Sequence, residues 1–478
     1  MSKIKRNLGY QTVYQILNTC LPLVTSPYLA RVLGAEKQGI FSYTQSIVNY
    51  FTLFAMLGVV NYGTRTIAES KKEKSIISYT FWNIYLFQII TSIVSLMLYA
   101  AYLVIVSPDN QLICFIQGLY LIGSFLDANW LFFGLEKFKI TVTRNLVVRI
   151  LSVAAILLLV KNRDDLWIYT LIMAGSPVLS NIIIWRFIPK EIDIHFSKYL
   201  NIGEIKQHIK PNLILFIPLL GMSVYHVMDK TMLGILSSYE QVGYYYNADK
   251  VINIPIGVIS GVGTVMLPRM STLFSNNKIE DIKKYFFTSI EGIIICASAM
   301  AFGISAISKE FTPIFFGNGF EPCINLIIVL SPVLIIKGLS QTARMQFLIP
   351  SKREKVFVHS VFLGAAVNLV ANIAFIPSYG ALGAVLGTLL AELVSCVWQF
   401  AKMNSQINVF QTLIKSISYL VIGFVMYIVV RRSALLVPKG ITGLAIEIII
   451  GSLVYSVLCF LFLKITNNEI LKIILRRK

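Results

Sequence analysis

Two acid–base pairs, Asp229-Lys230 and Asp249-Lys250, interrupt stretches of sequence that are otherwise apolar. An ionisable side chain at membrane depth is costly and normally faces a bundle interior or a wet cavity. Consecutive helical residues point about 100° apart, so neither pair neutralises itself and partners must come from other helices. Both pairs fall about 10 Å below the same surface of the expected helices. A crossed arrangement, Asp229 with Lys250 and Asp249 with Lys230, fits that depth. Two readings stay open: a charge-paired clamp between helices, or lysines turned towards a cavity and tuned by the aspartates.

Further ionisable groups lie in or near apolar runs: Arg31, Arg65, Asp127, Arg144, Arg149, Glu291, Lys337, Arg344, Glu392 and Glu447. Arg31, Arg65 and Arg144 lie near the ends of their runs, where a long side chain reaches the interface while its stem stays in lipid. Lys337 and Arg344 are two helical turns apart and share a face. They are expected to be the barer cations of the set. Arginine forks onto phosphate oxygens and lysine supplies a point charge, so such a stripe suits an anionic ligand. Arg31, Arg149, Lys230, Lys250, Lys337 and Arg344 are therefore the candidate substrate-binding cations. Asp127, Asp229, Asp249, Glu291 and Glu392 are the candidates for charge pairing or ion coupling. His226 precedes Asp229 on the same helix face, where a packing hydrogen bond or a protonation role is open. Tyr244-Tyr245-Tyr246 reads as an interfacial aromatic belt.

The elements that must position these groups are membrane spans. Of 478 residues, 56% are hydrophobic and only 14% are charged, well below the roughly 25% charged of a soluble domain. Fourteen helices long enough to cross a bilayer are expected: 10–33, 40–64, 77–106, 112–135, 142–160, 166–188, 211–236, 242–268, 285–307, 322–349, 356–376, 381–402, 412–430 and 441–463. The net charge of +19 does not require nucleic acid. Most Lys and Arg gather at the N-terminus, the C-terminus and the connections on that same side, which places both termini in the cytoplasm. The longest connection, 189–210, is too short for a soluble catalytic domain. Six single cysteines suggest neither a disulfide framework nor a metal site. No phosphate-binding loop, dinucleotide fingerprint, zinc-protease or serine-hydrolase motif is found. The chain is read as a transporter rather than an enzyme, without cofactor.

The polar connection separates two sets of six helices with weak internal similarity. Pro22, Leu33-Gly34, Gly39 and Asn49 recur as Pro218, Leu233-Gly234, Gly243 and Asn253. Repeats of this kind build transporters with a site between lobes. The expected organisation is an N-lobe, 1–200, a C-lobe, 201–405, and two further helices with a basic tail, 406–478.

Several segments resemble one family, the oligosaccharide (polysaccharide repeat-unit) flippases of the multidrug/oligosaccharidyl-lipid/polysaccharide exporter superfamily. They are Pro27-x3-Arg31-x-Leu33-Gly34-x4-Gly39, Asp127-x2-Trp130-Leu131-Phe132-x-Gly134-x-Glu136-x-Phe138, the Asp229-Lys230 to Asp249-Lys250 hairpin with Leu233-Gly234 and Val242-Gly243-Tyr244, and Asn368-x3-Asn372-x4-Pro377-x2-Gly380-x2-Gly383-Ala384-x6-Ala391-Glu392. The resemblance covers residues 1 to about 405. It implies an all-α membrane protein of about 14 transmembrane helices, two six-helix lobes in a V around a hydrophilic cavity. It also implies movement of an undecaprenyl-diphosphate-linked oligosaccharide to the outer leaflet of the bacterial cytoplasmic membrane. The implied partners are that lipid-linked substrate, the bilayer, and a polysaccharide polymerase or other proteins of a synthesis complex. Alternatives are an ion-coupled small-molecule exporter of the same superfamily and an integral membrane polymerase. The interior cations disfavour an exporter of cationic drugs, and the lack of a large outer loop disfavours a polymerase.

Overall fold

The computed structural model describes residues 3–70, 73–199, 203, 205–404, 407–468 and 470–471, and among these residues there is no strand. All fourteen expected spans fall on helices. Helix α1 (Lys3–Met56) carries the first and most of the second, with a non-helical break at Gly34, and α2 (Val59–Glu69) completes the second. Gly34 has φ 71, a left-handed conformation that glycine reaches without steric penalty. Helix α3 (Lys74–Val106) is unbroken. The fourth span is not one helix as expected but three: α4 (Gln111–Gln117), α5 (Leu119–Phe125) and α6 (Asn129–Gly134). Helices α7 (Phe138–Leu159), α8 (Leu166–Trp185) and the short α9 (Ile188–Glu191) follow.

The remaining helices are α10 (Ile205–Leu236), α11 (Tyr239–Ser275), α12 (Ile279–Phe316), α13 (Pro322–Leu330), α14 (Val333–Ala343), α15 (Glu354–Tyr379), α16 (Ala381–Asn404), α17 (Phe410–Ser433) and α18 (Ile441–Ile465). A π turn, Arg344–Leu348, extends α14. Twelve stretches among the described residues are long and apolar enough to cross a membrane, and the first, Leu21–Glu69, holds two expected spans. Helix α10 coincides with the expected seventh span. The side chain of His226 lies outside the described residues.

The chain divides into two compact units, Met1–Gly234 and Ile235–Lys478. The division falls at the end of α10, where the sequence places it in the connection 189–210, and α17 and α18 belong to the second unit. In the first unit Phe81 stacks on Trp130 at 5.2 Å between ring centroids. The Trp130 Nε1–H donates to Gln88 Oε1 at 3.0 Å. In the second unit α15 and α16 form a tight hairpin. A Cβ at Gly387 would collide with Asn372 Oδ1, so the missing side chain sets the helix separation. Close approach through small residues is how helices associate in lipid, where the tails are as apolar as the side chains.

Candidate functional site

In the first unit the break between α5 and α6 is built around Asp127. Its Oδ1 accepts hydrogen bonds from the Asn129 backbone N–H at 2.8 Å and from Asn129 Nδ2 at 2.6 Å. The carboxylate thus binds the orphan donor at the start of α6, the usual role of an acid at a helix N-terminus. Asn129 Oδ1 accepts from Arg144 at 2.6 Å, and Arg144 also donates to Asn145 Oδ1 at 2.8 Å. Ser180 joins the network through Asn145, and Asn181 through Asn129. Arg144 is buried, so the expectation that it reaches the interface is corrected: its guanidinium is held inside the unit through Nη2. The sequence reading missed the four amide and hydroxyl partners. The Asp127-x-Asn129 spacing was the available signal, since it is a helix-start pattern within an apolar run.

Arg149 stands apart from this network. It lies midway along α7, is exposed, and makes no hydrogen bond or ion pair among the described residues. The exposed apolar residues of α7 are Val147, Ile150, Leu151, Leu158 and Leu159. At roughly 100° per residue, Arg149 projects about 160° away from Val147 and about 100° from Ile150, in line with the buried Val142 and Ile156. Its charge is therefore open on the side of the helix turned away from the apolar stripe. Arg31 is exposed in the last turn before the Gly34 break and donates to the Pro27 carbonyl at 3.3 Å. Arg65 forms an exposed pair with Glu69 at 3.0 Å.

Asp229 is buried and Lys230 half-buried at the end of α10. This end is fastened to α1: Thr231 Oγ1 lies 2.8 Å from Ser46 Oγ and donates to the Tyr50 hydroxyl at 3.3 Å. Asp229-Lys230 thus belongs to the first unit and Asp249-Lys250 to the second. Within α11, Asp249 Oδ1 accepts from Asn253 Nδ2 at 2.8 Å, and the Lys250 ammonium sits 3.8 Å from the centroid of the Tyr246 ring.

In the second unit, the expectation that Lys337 and Arg344 are bare cations is corrected. Lys337 Nζ forms an ion pair with Glu392 Oε1 at 3.1 Å, and both side chains are largely buried. Arg344 opens the π turn, donates to Gln341 Oε1 at 2.7 Å, and lies 4.9 Å over the Phe357 ring. Its Nε is buried without a hydrogen-bond acceptor among the described residues. π turns interrupt helices mostly at functional positions. Both residues still face the α15–α16 hairpin, as their shared face requires. Glu291 accepts from the Tyr419 hydroxyl and from Asn468 Nδ2, each at 2.5 Å. Glu447 is buried, with Oε2 lacking a donor among the described residues. A pair the sequence reading did not single out, Arg431 with Glu310 at 2.9 Å, ties α17 to α12.

A family model described as polysaccharide biosynthesis protein matches residues 4–274. An Escherichia coli protein with O-antigen transporter in its name is 23% identical over 409 residues, 84% of this chain and 97% of that one. A Haloferax volcanii protein with low-salt glycan biosynthesis flippase in its name is 24% identical over 477 residues, 94% of each chain. The solved structure of a lipid II flippase, MurJ, in an inward closed conformation matches with a TM-score of 0.79 at 14% identity. That match covers 96% of this chain and 99% of that one, and it shows a shared fold. The relatives are transporters and flippases rather than catalysts, and the chain belongs to the polysaccharide biosynthesis protein family.

Proposed function

We propose that the chain flips a lipid-linked glycan across a membrane. The substrate in this reading is an undecaprenyl-diphosphate-linked oligosaccharide repeat unit. It moves from the cytoplasmic to the outer leaflet of the bacterial cytoplasmic membrane to supply surface polysaccharide. Both termini lie in the cytoplasm, and the two units alternate access to the substrate. The names of the aligned relatives support the glycan class.

The observation that carries the reading is Arg149, a cation exposed halfway along a spanning helix on the side away from its apolar stripe. A charge held there needs water or an anion rather than lipid tails. A guanidinium with open donors is well matched to a diphosphate. The experiment uses proteoliposomes carrying a lipid-linked oligosaccharide, with the sugar scored by its accessibility to a membrane-impermeant glycosidase. Arg149→Ala is expected to slow exposure of the sugar by about tenfold without lowering thermal stability, and Arg149→Lys to fall between, since lysine keeps the charge but loses the fork. Wild-type rates in Arg149→Ala would remove this residue from the substrate path, and absence of transport by the intact chain would sink the flippase reading itself.

A further inference from the structure

We propose that the second unit carries a binding site for the phosphate of an anionic glycerophospholipid, at the end of the molecule where α12 and α17 begin and α18 finishes. A cavity of about 570 Å³ opens there, lined by Lys284 from α12 and Lys415 from α17. Both lysines are exposed, and each lies in the second turn of its helix. The two ammonium groups favour an anion there, and Thr412 in the first turn of α17 brings that helix start to the same wall. Thr412 and Ser418 add hydroxyls to the same wall, and hydroxyls donate to phosphate oxygens.

Glu291 also lines the cavity. Its Oε1 is engaged by the Tyr419 and Asn468 donors, which draws the carboxylate into the wall. Among the described residues the cavity offers two ammonium groups and several hydroxyls to a phosphate. The position also suits a lipid. The ends of three spanning helices meet there, at the depth of the headgroups, where basic pockets between helices hold anionic lipids. Thr288 borders both this cavity and an apolar cleft of about 390 Å³ between α11 and α12, whose walls include Val258, Val262, Ile293 and Met300. Headgroup and acyl chain thus have adjoining places, which free phosphate does not require.

The test is equilibrium binding of phosphatidylglycerol to the purified full chain in neutral detergent. Phosphatidylcholine and inorganic phosphate serve as comparison arms. Phosphatidylglycerol is expected to bind saturably and to lose on the order of tenfold in affinity in the Lys284→Gln/Lys415→Gln double variant. Equal binding by the double variant, or equal binding of phosphatidylcholine, overturns the site. Inorganic phosphate displacing the lipid at millimolar concentration leaves an anion site without a lipid and overturns the lipid assignment. A photoactivatable phosphatidylglycerol on the wild-type chain reads the place directly, independent of how the variant folds. Adducts are expected within 284–300 and 412–418, and adducts confined to other helices refute the proposal. No transport is measured, so the outcome is separate from that of the flippase reading.

Discussion

At the scale of single residues, the ion pair between Lys337 and Glu392 changes what a substitution at Lys337 should do. An unpaired cation would be lost at little cost in stability. A partly buried pair is different, because removing one partner leaves the other charge desolvated and uncompensated, worth about 3 kcal/mol. Lys337→Ala should therefore lower the melting temperature of the purified protein by several degrees. The exchanged variant, Lys337→Glu with Glu392→Lys, should recover more than half of that loss. An alanine variant that melts like the wild type would mean that the pair at 3.1 Å contributes nothing measurable. The existence and depth of these charges were legible in the sequence because each stands out in an apolar run. Their partners were not. Glu392 was recognised as an acid deep in its span, yet whether it meets Lys337 depends on how α14 packs on α16, and neither helix encodes that alone. Arg344 illustrates the same limit: its stacking on Phe357 requires α15 to lie beside the π turn. Arg149 shows the converse. Its identity was visible from the start, but its openness could be judged only against the exposed apolar stripe of α7.

At the scale of elements, hydropathy located every span because a bilayer demands long apolar helices whatever their packing. It did not show the breaks. The fourth span reads as continuous because the residues around Leu126–Ala128 are mostly apolar, while its interruption depends on the Asp127 carboxylate binding the start of α6. The polar connection after α8 also has more structure than its composition suggests. The Trp82 indole donates to the Asp193 carbonyl at 2.9 Å, and the Asp193 N–H donates to Ser78 Oγ at 2.8 Å. The Asp193 carboxylate accepts from the His195 ring and backbone and from the Tyr199 hydroxyl. Those hydrogen bonds, the His195 side chain first, hold its pKa down to about 2. A carboxyl depressed on folding adds stability that is complete above its ordinary value near 4. That stability is lost as the pH falls through the folded value. Emission from Trp82, isolated by replacing the other tryptophans with phenylalanine, should thus stay constant from pH 7 to about 4 and shift between there and about 2. In Asp193→Asn that acid step should disappear. A step of unchanged size in the asparagine variant would assign it to another group.

At the scale of the molecule, the last two helices extend beyond the stretch that resembles the family by motif, and they look separable in sequence. In the structure they are part of the second unit's interior. Tyr419, Met426 and Val430 of α17 and Tyr455, Cys459 and Leu463 of α18 share one buried cluster with Phe286, Ile290 and Ile294 of α12. Apolar contact alone would be a weak tether, because lipid tails replace it at little cost. The polar contacts decide the matter. Cutting the chain after Asn404 would strip Arg431 from Glu310, remove the Tyr419 and Asn468 donors from Glu291, and remove the Tyr455 hydroxyl from Ser298. Each polar group so orphaned costs about 1–3 kcal/mol, and more where it is charged. Ser298 keeps the Ile295 carbonyl at 3.2 Å, but the two orphaned carboxylates together approach the lower end of the roughly 5–15 kcal/mol by which folded proteins are stable. The truncated chain should consequently fail to give a single symmetric peak by size-exclusion chromatography in detergent. Supplying residues 405–478 as a separate polypeptide should restore it, because the contacts need both helices in place rather than a covalent link. A truncated chain that is monodisperse and melts within a few degrees of the full one would show that α12 satisfies its own carboxylates, and would return α17 and α18 to the status of an appendage.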